Sequence, residues 1–169
     1  AAQLSSVFGM IADDADNDGY LDIIISGNDY STEISTGRYD AFNGLILKGD
    51  GKGNFIALQP EQSGFYVPGD AKSLVYLKSA KERPLLLAAQ NSGNLVAFTN
   101  TAERKMISLK PDDAALTYFL KNGTARKEEI YYGNSFYSQS GRYIIAGPAV
   151  KSVTIINRPG NKRDINFSE

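Results

Sequence analysis

Short apolar segments separated by polar turns run along the whole chain. Residues 7–11 and 21–25 are rich in apolar and β-branched side chains without a helical period, which predicts two strands joined by a loop. Ile23, Ile24 and Ile25 are apolar at successive positions, as in a strand buried on both faces. A glycine-containing hairpin is predicted over residues 44–55. The pattern therefore predicts an all-β fold, with further strands at residues 115–120, 127–132, 142–146, 153–157 and 164–167.

The loop between the first two strands is acidic. Residues 14–22 place aspartates at the first, third, fifth and ninth positions, with Gly19 at the sixth. Calcium takes oxygen ligands at roughly 2.3–2.6 Å, and carboxylates at alternating positions of a turn can converge on one point. An EF-hand is excluded because its twelfth position, a bidentate glutamate, is here Ile25. The alternative is a solvated acidic turn. We predict a Ca²⁺ site with side-chain ligands from Asp14, Asp16, Asp18 and Asp22, and the backbone carbonyl of Tyr20.

These residues resemble a known repeat. Phe8-Gly9, the aspartate-rich loop and the strand that ends at residues 26–28 are similar to the FG-GAP or VCBS repeat, one blade of the integrin-α-type β-propeller. The hairpin over residues 44–55 resembles the end of such a repeat. The resemblance implies a four-stranded blade in residues 1–63 that binds calcium on a strand-to-strand connection.

A weaker copy of the pattern follows at an offset of about 62 residues, with residues 84–91 lying over residues 22–29. Residues 79–83 take the place of the acidic loop and carry one acid and two bases, so they cannot hold a divalent cation. We therefore predict a degenerate second four-stranded blade in residues 64–109. Two blades cannot close a propeller. Upstream blades of a longer parent chain are the expected partners, and edge pairing with another chain is the alternative.

The C-terminal part, residues 110–169, is predicted to be a small antiparallel β domain. Residues 131–140 resemble the serine-rich signature of the ASPIC/UnbV domain, and residues 158–160 resemble the late turn of that domain. The resemblance implies a non-catalytic C-terminal module, of a kind that commonly follows FG-GAP and VCBS repeats.

Two polar segments are candidates for ligand binding. The insertion after residue 27 contains Arg38, Tyr39 and Asp40, which supply a guanidinium, a ring and an acceptor suited to a sugar or a peptide. The alternative is an Arg38–Asp40 ion pair that closes the insertion. The second segment is residues 131–142. Its aromatic rings can stack on sugars while neighbouring polar side chains donate and accept hydrogen bonds. The alternative is that the aromatic residues belong to the core and the serines turn the chain. The candidate residues of this segment are Tyr132, Asn134 and Gln139.

Composition removes several classes of chemistry. The chain has no histidine and no cysteine, which excludes thiol nucleophiles, disulfides, the usual Cys/His zinc sites and a Ser-His-Asp arrangement. The formal net charge of −1 gives no reason to expect nucleic acid or an acidic membrane as a partner. No apolar run approaches the ~20 residues of a membrane helix. The chain opens in mid-pattern without a signal peptide, which indicates a fragment of a longer protein.

The sequence therefore predicts a non-enzymatic calcium-binding module that mediates glycan or protein binding, as in adhesion. Because calcium is abundant outside the cytoplasm, we expect an extracellular or bacterial cell-envelope location, in the periplasm or at the outer-membrane surface. The alternative is a fragment of a carbohydrate-active propeller enzyme with paired carboxylates. Glu128 and Glu129 are adjacent on a predicted strand, so their side chains would point to opposite faces and could not flank one bond. The candidate acids for this alternative are Asp40, Asp70, Glu128 and Glu129.

Overall fold

The computed structural model describes residue 3, residues 5–133 and residues 139–167. Within these residues the chain forms strands and one short helix, α1, over Pro60–Ser63, so the predicted all-β class is confirmed. None of the sheets closes on itself within the described part of the chain. The strands are β1 Val7–Asp13, β2 Asp22–Gly27, β3 Leu45–Gly49, β4 Phe55–Leu58, β5 Ala71–Lys78, β6 Pro84–Gln90, β7 Val96–Thr99, β8 Lys105–Ser108, β9 Asp113–Leu120, β10 Ala125–Glu129, β11 Tyr143–Ala146, β12 Val150–Asn157 and β13 Lys162–Asn166.

The first sheet is an antiparallel meander in the order β1-β2-β3-β4. Burial alternates along β1, where Gly9, Ile11 and Asp13 are buried and the intervening Met10 and Ala12 are exposed. The ladder of β1 and β2 runs to the pair Asp13 and Asp22, so residues 14–21 form the connection at its end. The strands predicted on either side of the acidic loop, and the hairpin over residues 44–55, are thus confirmed.

The second sheet has the order β5-β6-β7. It packs against the first sheet through a shared apolar core that includes Ile11, Ile24 and Leu74. The sequence predicted four strands here, but β8 pairs with β11 and leaves three. The residue before β8, the buried Arg104, forms an ion pair with Asp13 of β1, and β8 then pairs along β11 instead of extending the sheet of β7.

The C-terminal strands form a sheet in the order β10-β9-β12-β13, and the β8–β11 ladder lies beside it. Leu116, Val153 and Ile155 are almost fully buried in a second apolar core. The strand positions predicted between residues 115 and 167 agree with β9 to β13 to within a few residues. The described residues include no helix that is long and apolar enough to cross a bilayer.

Candidate metal site

The acidic loop of residues 14–21, called the Asp loop below, is shaped by its own side chains. The Asp18 amide donates to Asp16 Oδ1 at 3.2 Å, and the Tyr20 amide donates to Asp18 Oδ1 at 2.9 Å. These are the side-chain-to-backbone bonds with which aspartate stabilises turns. Asn17 and Gly19 have φ values of 66° and 96°, a left-handed conformation that asparagine and glycine tolerate best. The local sequence therefore favours a tight loop that holds its carboxylates on one side.

Three carboxylates meet in this loop. One oxygen from each of Asp14, Asp16 and Asp18 lies within 4.8 Å of the others, a spacing at which they can hold a metal ion. Asp14 is buried, whereas the Asp16 and Asp18 side chains are 31% and 32% exposed. Hard oxygen donors that are partly open to water suit a hard divalent cation. The predicted clustering of these three residues is therefore present.

Asp14 carries the unusual atom of the cluster. Its Oδ2 accepts the Gly19 amide at 3.1 Å, but its Oδ1 is buried and has no hydrogen-bond partner among the described residues. Burial raises the pKa of Asp14 from 3.8 to about 6, against the lowering effect of the Gly19 hydrogen bond. A buried carboxylate oxygen without a partner is costly. A cation in the cluster would give this oxygen the missing interaction.

Lys48 of β3 supplies a positive charge at the outer side of the cluster. Its ammonium contacts Asp16 Oδ2 and lies 3.1 Å from Asp18 Oδ2. The hydrogen bond to Asp16, followed by that to Asp18, raises the pKa of Lys48 above its ordinary value. A metal ion that binds Asp16 and Asp18 would therefore compete with this ammonium.

Asp22 and Tyr20, the other two predicted ligands, do not belong to the three-carboxylate cluster. Asp22 is 1% exposed, and its Oδ1 and Oδ2 accept the amides of Gly49 and Ala15, both at 2.9 Å. Burial raises the pKa of Asp22. Asp22 thus ties the start of the Asp loop to the end of β3 and stands outside the three-carboxylate cluster. Metal ligation by Asp22 and by the Tyr20 carbonyl stays a prediction.

Distant residues anchor the loop backbone. Arg126 of β10 donates to the Gly19 carbonyl at 2.6 Å, and Asn100 donates to the Ala15 carbonyl at 2.6 Å. The Asn17 side-chain amide donates to Asn100 Oδ1 at 3.3 Å. These anchors are 83 to 107 residues away in the sequence, so no local pattern could reveal them. They fix the Asp loop between the second sheet and the C-terminal sheet.

A buried polar cluster lies directly before the loop. The Tyr76 hydroxyl donates to Asp13 Oδ2 at 2.5 Å, and Arg104 forms an ion pair with Asp13 Oδ1. Arg104 and Asp13 are 4% and 8% exposed. The pair satisfies two charges that would otherwise be buried alone, and it holds the end of β1 where the loop begins.

The insertion candidates Arg38, Tyr39 and Asp40 are exposed. A backbone bridge between Asp29 and Tyr39 closes the insertion, and the Arg38 guanidinium lies 4.9 Å from the centre of the Tyr30 ring. No ion pair joins Arg38 to Asp40 among the described residues, so the alternative in which that pair closes the insertion is not formed. The three side chains remain available to solvent.

The second candidate set is only partly described. Arg142 stacks over the Tyr132 ring at 4.3 Å, and the Tyr132 hydroxyl donates to the Pro111 carbonyl at 3.4 Å. Gln139 lines a cavity of about 370 Å³ between β1 and the C-terminal strands. Asn134, with residues 135–138 of the serine-rich segment, lies outside the described residues.

Of the four acids considered for catalysis, Glu128 and Glu129 share one cavity, whereas Asp40 and Asp70 lie elsewhere. Glu128 and Glu129 line the cavity of about 370 Å³, and Glu128 pairs with Arg126 at 2.8 Å while burial raises its pKa. Asp40 is exposed in the insertion. Asp70 is 1% exposed and pairs with Lys72 at 2.7 Å. Hydrolysis by paired carboxylates would need two of these acids on either side of one bond.

No protein-family model matches this chain, and a search of curated proteins finds no match.

Proposed function

We propose that this chain is a non-enzymatic calcium-binding β module of a secreted or cell-envelope protein, and that it binds a glycan or a protein. The observation that carries the proposal is the buried Oδ1 of Asp14. It lacks a hydrogen-bond partner and belongs to a cluster with Asp16 and Asp18. A bound cation is the simplest partner for an ionised, buried oxygen in such surroundings.

Calcium is favoured over magnesium by the nature of the loop. Calcium accepts six to eight oxygens in flexible geometry, whereas magnesium demands near-ideal octahedral coordination and gives up water reluctantly. The cluster mixes the fixed, buried Asp14 with the partly exposed Asp16 and Asp18. Water can complete the coordination from the exposed side.

The fold supports the family resemblance as part of the proposal. An antiparallel four-stranded meander with the Asp loop between its first two strands is what an FG-GAP or VCBS blade would require. In this proposal β5 to β7 belong to the degenerate second blade, residues 110–169 to an ASPIC/UnbV-like module, and the parent chain supplies upstream blades.

Ligand binding is assigned to exposed aromatic residues. Tyr39 in the insertion and Tyr132 in the C-terminal part are 45% and 57% exposed, and the Arg142 guanidinium lies over the Tyr132 ring. An exposed ring beside a guanidinium suits a sugar face or a peptide. A glycan array and a peptide array probed with the native chain and with Tyr39→Ala and Tyr132→Ala test this assignment. Absence of binding on both arrays contradicts it.

Thermal melts test the metal site. The native chain should melt at higher temperature with calcium than with magnesium or chelator, because a ligand at 100 times its Kd adds roughly 2.7 kcal/mol. Asp16→Ala should abolish this shift. Asp40→Ala, which removes an exposed carboxylate elsewhere, is the matched control and should keep the shift. Equal melts in calcium and chelator for the native chain contradict the proposal.

One observation keeps the enzymatic alternative open to test. Glu128 combines a raised pKa with a position in a cavity, which are properties of a general acid. Glycosidase activity that disappears in Glu128→Gln would replace the non-enzymatic proposal.

A further inference from the structure

A second charged site lies beside the turn that replaces the Asp loop in the second sheet. This turn, residues 79–83, joins β5 to β6 just as the Asp loop joins β1 to β2. A cavity of about 430 Å³ opens next to it, between the turn and residues 99–104. That volume lies in the range of small-molecule pockets.

The lining of this cavity is basic. Among the described residues, the lining contains Lys81, Arg83 and Arg104 and no aspartate or glutamate. Glu82 of the same turn pairs with Lys78 at 2.7 Å, away from the lining. Within the described residues neither Lys81 nor Arg83 forms an ion pair. Two positive charges of the turn are therefore uncompensated at the cavity.

Arg104 adds a buried donor. The residue is 4% exposed, and its guanidinium is held at one end by Asp13. Its Nε is buried and has no hydrogen-bond partner among the described residues. Because a guanidinium presents its donors as a rigid fork, the ion pair with Asp13 also fixes the direction of the remaining donors. Arg104 thus brings to the cavity lining a buried guanidinium that has one unpartnered donor.

Uncharged donors complete the lining. The Ser79 hydroxyl oxygen accepts the Arg83 amide at 3.1 Å, which leaves its own O–H to donate. Thr99 contributes a second hydroxyl. Hydroxyls beside arginine and lysine form the donor set that recognises oxyanions.

We propose that this cavity binds an anionic group, such as a sulfate, phosphate or carboxylate, between Lys81, Arg83 and the buried Arg104. The first sheet then carries a cation site, and the second sheet an anion site, at the corresponding strand connection. The two sites share a wall, because Asn100 lines the cavity and donates to the Ala15 carbonyl of the Asp loop.

Sulfate titration followed by ¹H–¹⁵N NMR tests the proposal. Sulfate replaces chloride at constant ionic strength, with chelator present in one series and calcium in another, so the result does not depend on the Asp loop. We expect saturable shifts confined to the amides of residues 79–83 and 99–104. The double variant Lys81→Gln/Arg83→Gln should raise the Kd at least about tenfold, since both charges contact the anion.

The matched control is Lys121→Gln/Lys151→Gln, which removes two exposed positive charges outside the cavity lining. Its Kd should stay within about twofold of the native value. Chemical-shift changes that never saturate or that spread over the surface would overturn the proposal. An equal rise in Kd in both double variants would also overturn it.

A second arm identifies the source of the anion. Galactose 6-sulfate is titrated in the same way, with galactose as the uncharged reference. If the sulfated sugar binds tighter than sulfate, the anionic group belongs to a sulfated glycan. If the two bind equally, a free inorganic anion is the ligand, and both results uphold the anion site.

Discussion

Replacing Asp14 by asparagine should stabilise the calcium-free protein and abolish its response to calcium. Burial raises the pKa of Asp14 from 3.8 to about 6, so the folded chain disfavours the ionised form at pH 7. One pKa unit corresponds to about 1.4 kcal/mol, and ionised Asp14 therefore lowers the free energy of unfolding by about 3 kcal/mol. Asparagine keeps the shape of the side chain without the charge, and its Oδ1 can still accept the Gly19 amide.

The raised pKa of Asp14 also determines how the free energy of unfolding changes with pH. Because the pKa of Asp14 is higher in the folded chain, the folded state binds more protons between pH 3.8 and about 6. The free energy of unfolding therefore falls as the pH rises through this interval. In chelator, the difference between Asp14→Asn and the native chain should be about 3 kcal/mol at pH 7 and should vanish below about pH 3.

Calcium should act in the opposite direction. Above its Kd, each tenfold rise in free calcium should stabilise the native chain by about 1.4 kcal/mol, because the ion binds the folded state only. The Asp14→Asn variant should show no such slope, since the unpartnered oxygen and its charge are both lost.

Urea denaturation followed by circular dichroism measures both effects in one series. Asp40→Asn is the control, because this aspartate is exposed, and its stability should stay within about 0.5 kcal/mol of the native value. The reasoning is refuted if Asp14→Asn is less stable than the native chain in chelator at pH 7, or if it keeps the native slope against calcium.

Three further substitutions test other parts of the structure. Lys48→Gln removes the ammonium that competes with a metal ion for Asp16 and Asp18. Calorimetry should therefore show the calcium affinity rising by a factor of about three to ten. An unchanged affinity would show that the ammonium does not compete. Arg104→Met leaves Asp13 buried without its counter-charge and should cost about 3–5 kcal/mol in urea, whereas exposed Arg83→Gln should cost less than about 0.5 kcal/mol. Asn28→Ala removes the side chain that accepts a hydrogen bond from the Phe42 amide and donates one to the Phe42 carbonyl. The free energy of unfolding should fall by about 2–4 kcal/mol. An unchanged urea denaturation midpoint would contradict this.

Local elements were predictable because their causes are local. The apolar, β-branched residues 7–11 and 21–25 define β1 and β2, and the glycines of residues 50–54 define the hairpin between β3 and β4. The clustering of Asp14, Asp16 and Asp18 follows from their spacing in one turn. In these cases a few neighbouring residues determine the conformation.

Pairings over long distances in the sequence were not predictable in this way. The ladder of β8 and β11 pairs Ser108 with Tyr143, and Arg104 meets Asp13, 91 residues away. The role of Asp22 depends on the Gly49 amide, which only the fold brings to it. Lys48 likewise reaches the cluster from a different strand. Such contacts are determined by packing of whole sheets, and a motif read along the chain does not contain them.

The anchoring of the Asp loop by distant residues has a consequence for synthesis. The loop can turn as soon as its own residues leave the ribosome, because its aspartates bond to amides two residues away. The Gly19 carbonyl of the loop gains its hydrogen bond only after Arg126, 107 residues later in the chain, has been synthesised. At about 5–20 residues per second, that interval lasts roughly 5–20 s. The loop can therefore form from its own hydrogen bonds before its distant anchor exists, and its final position is fixed late, when the C-terminal sheet docks against it.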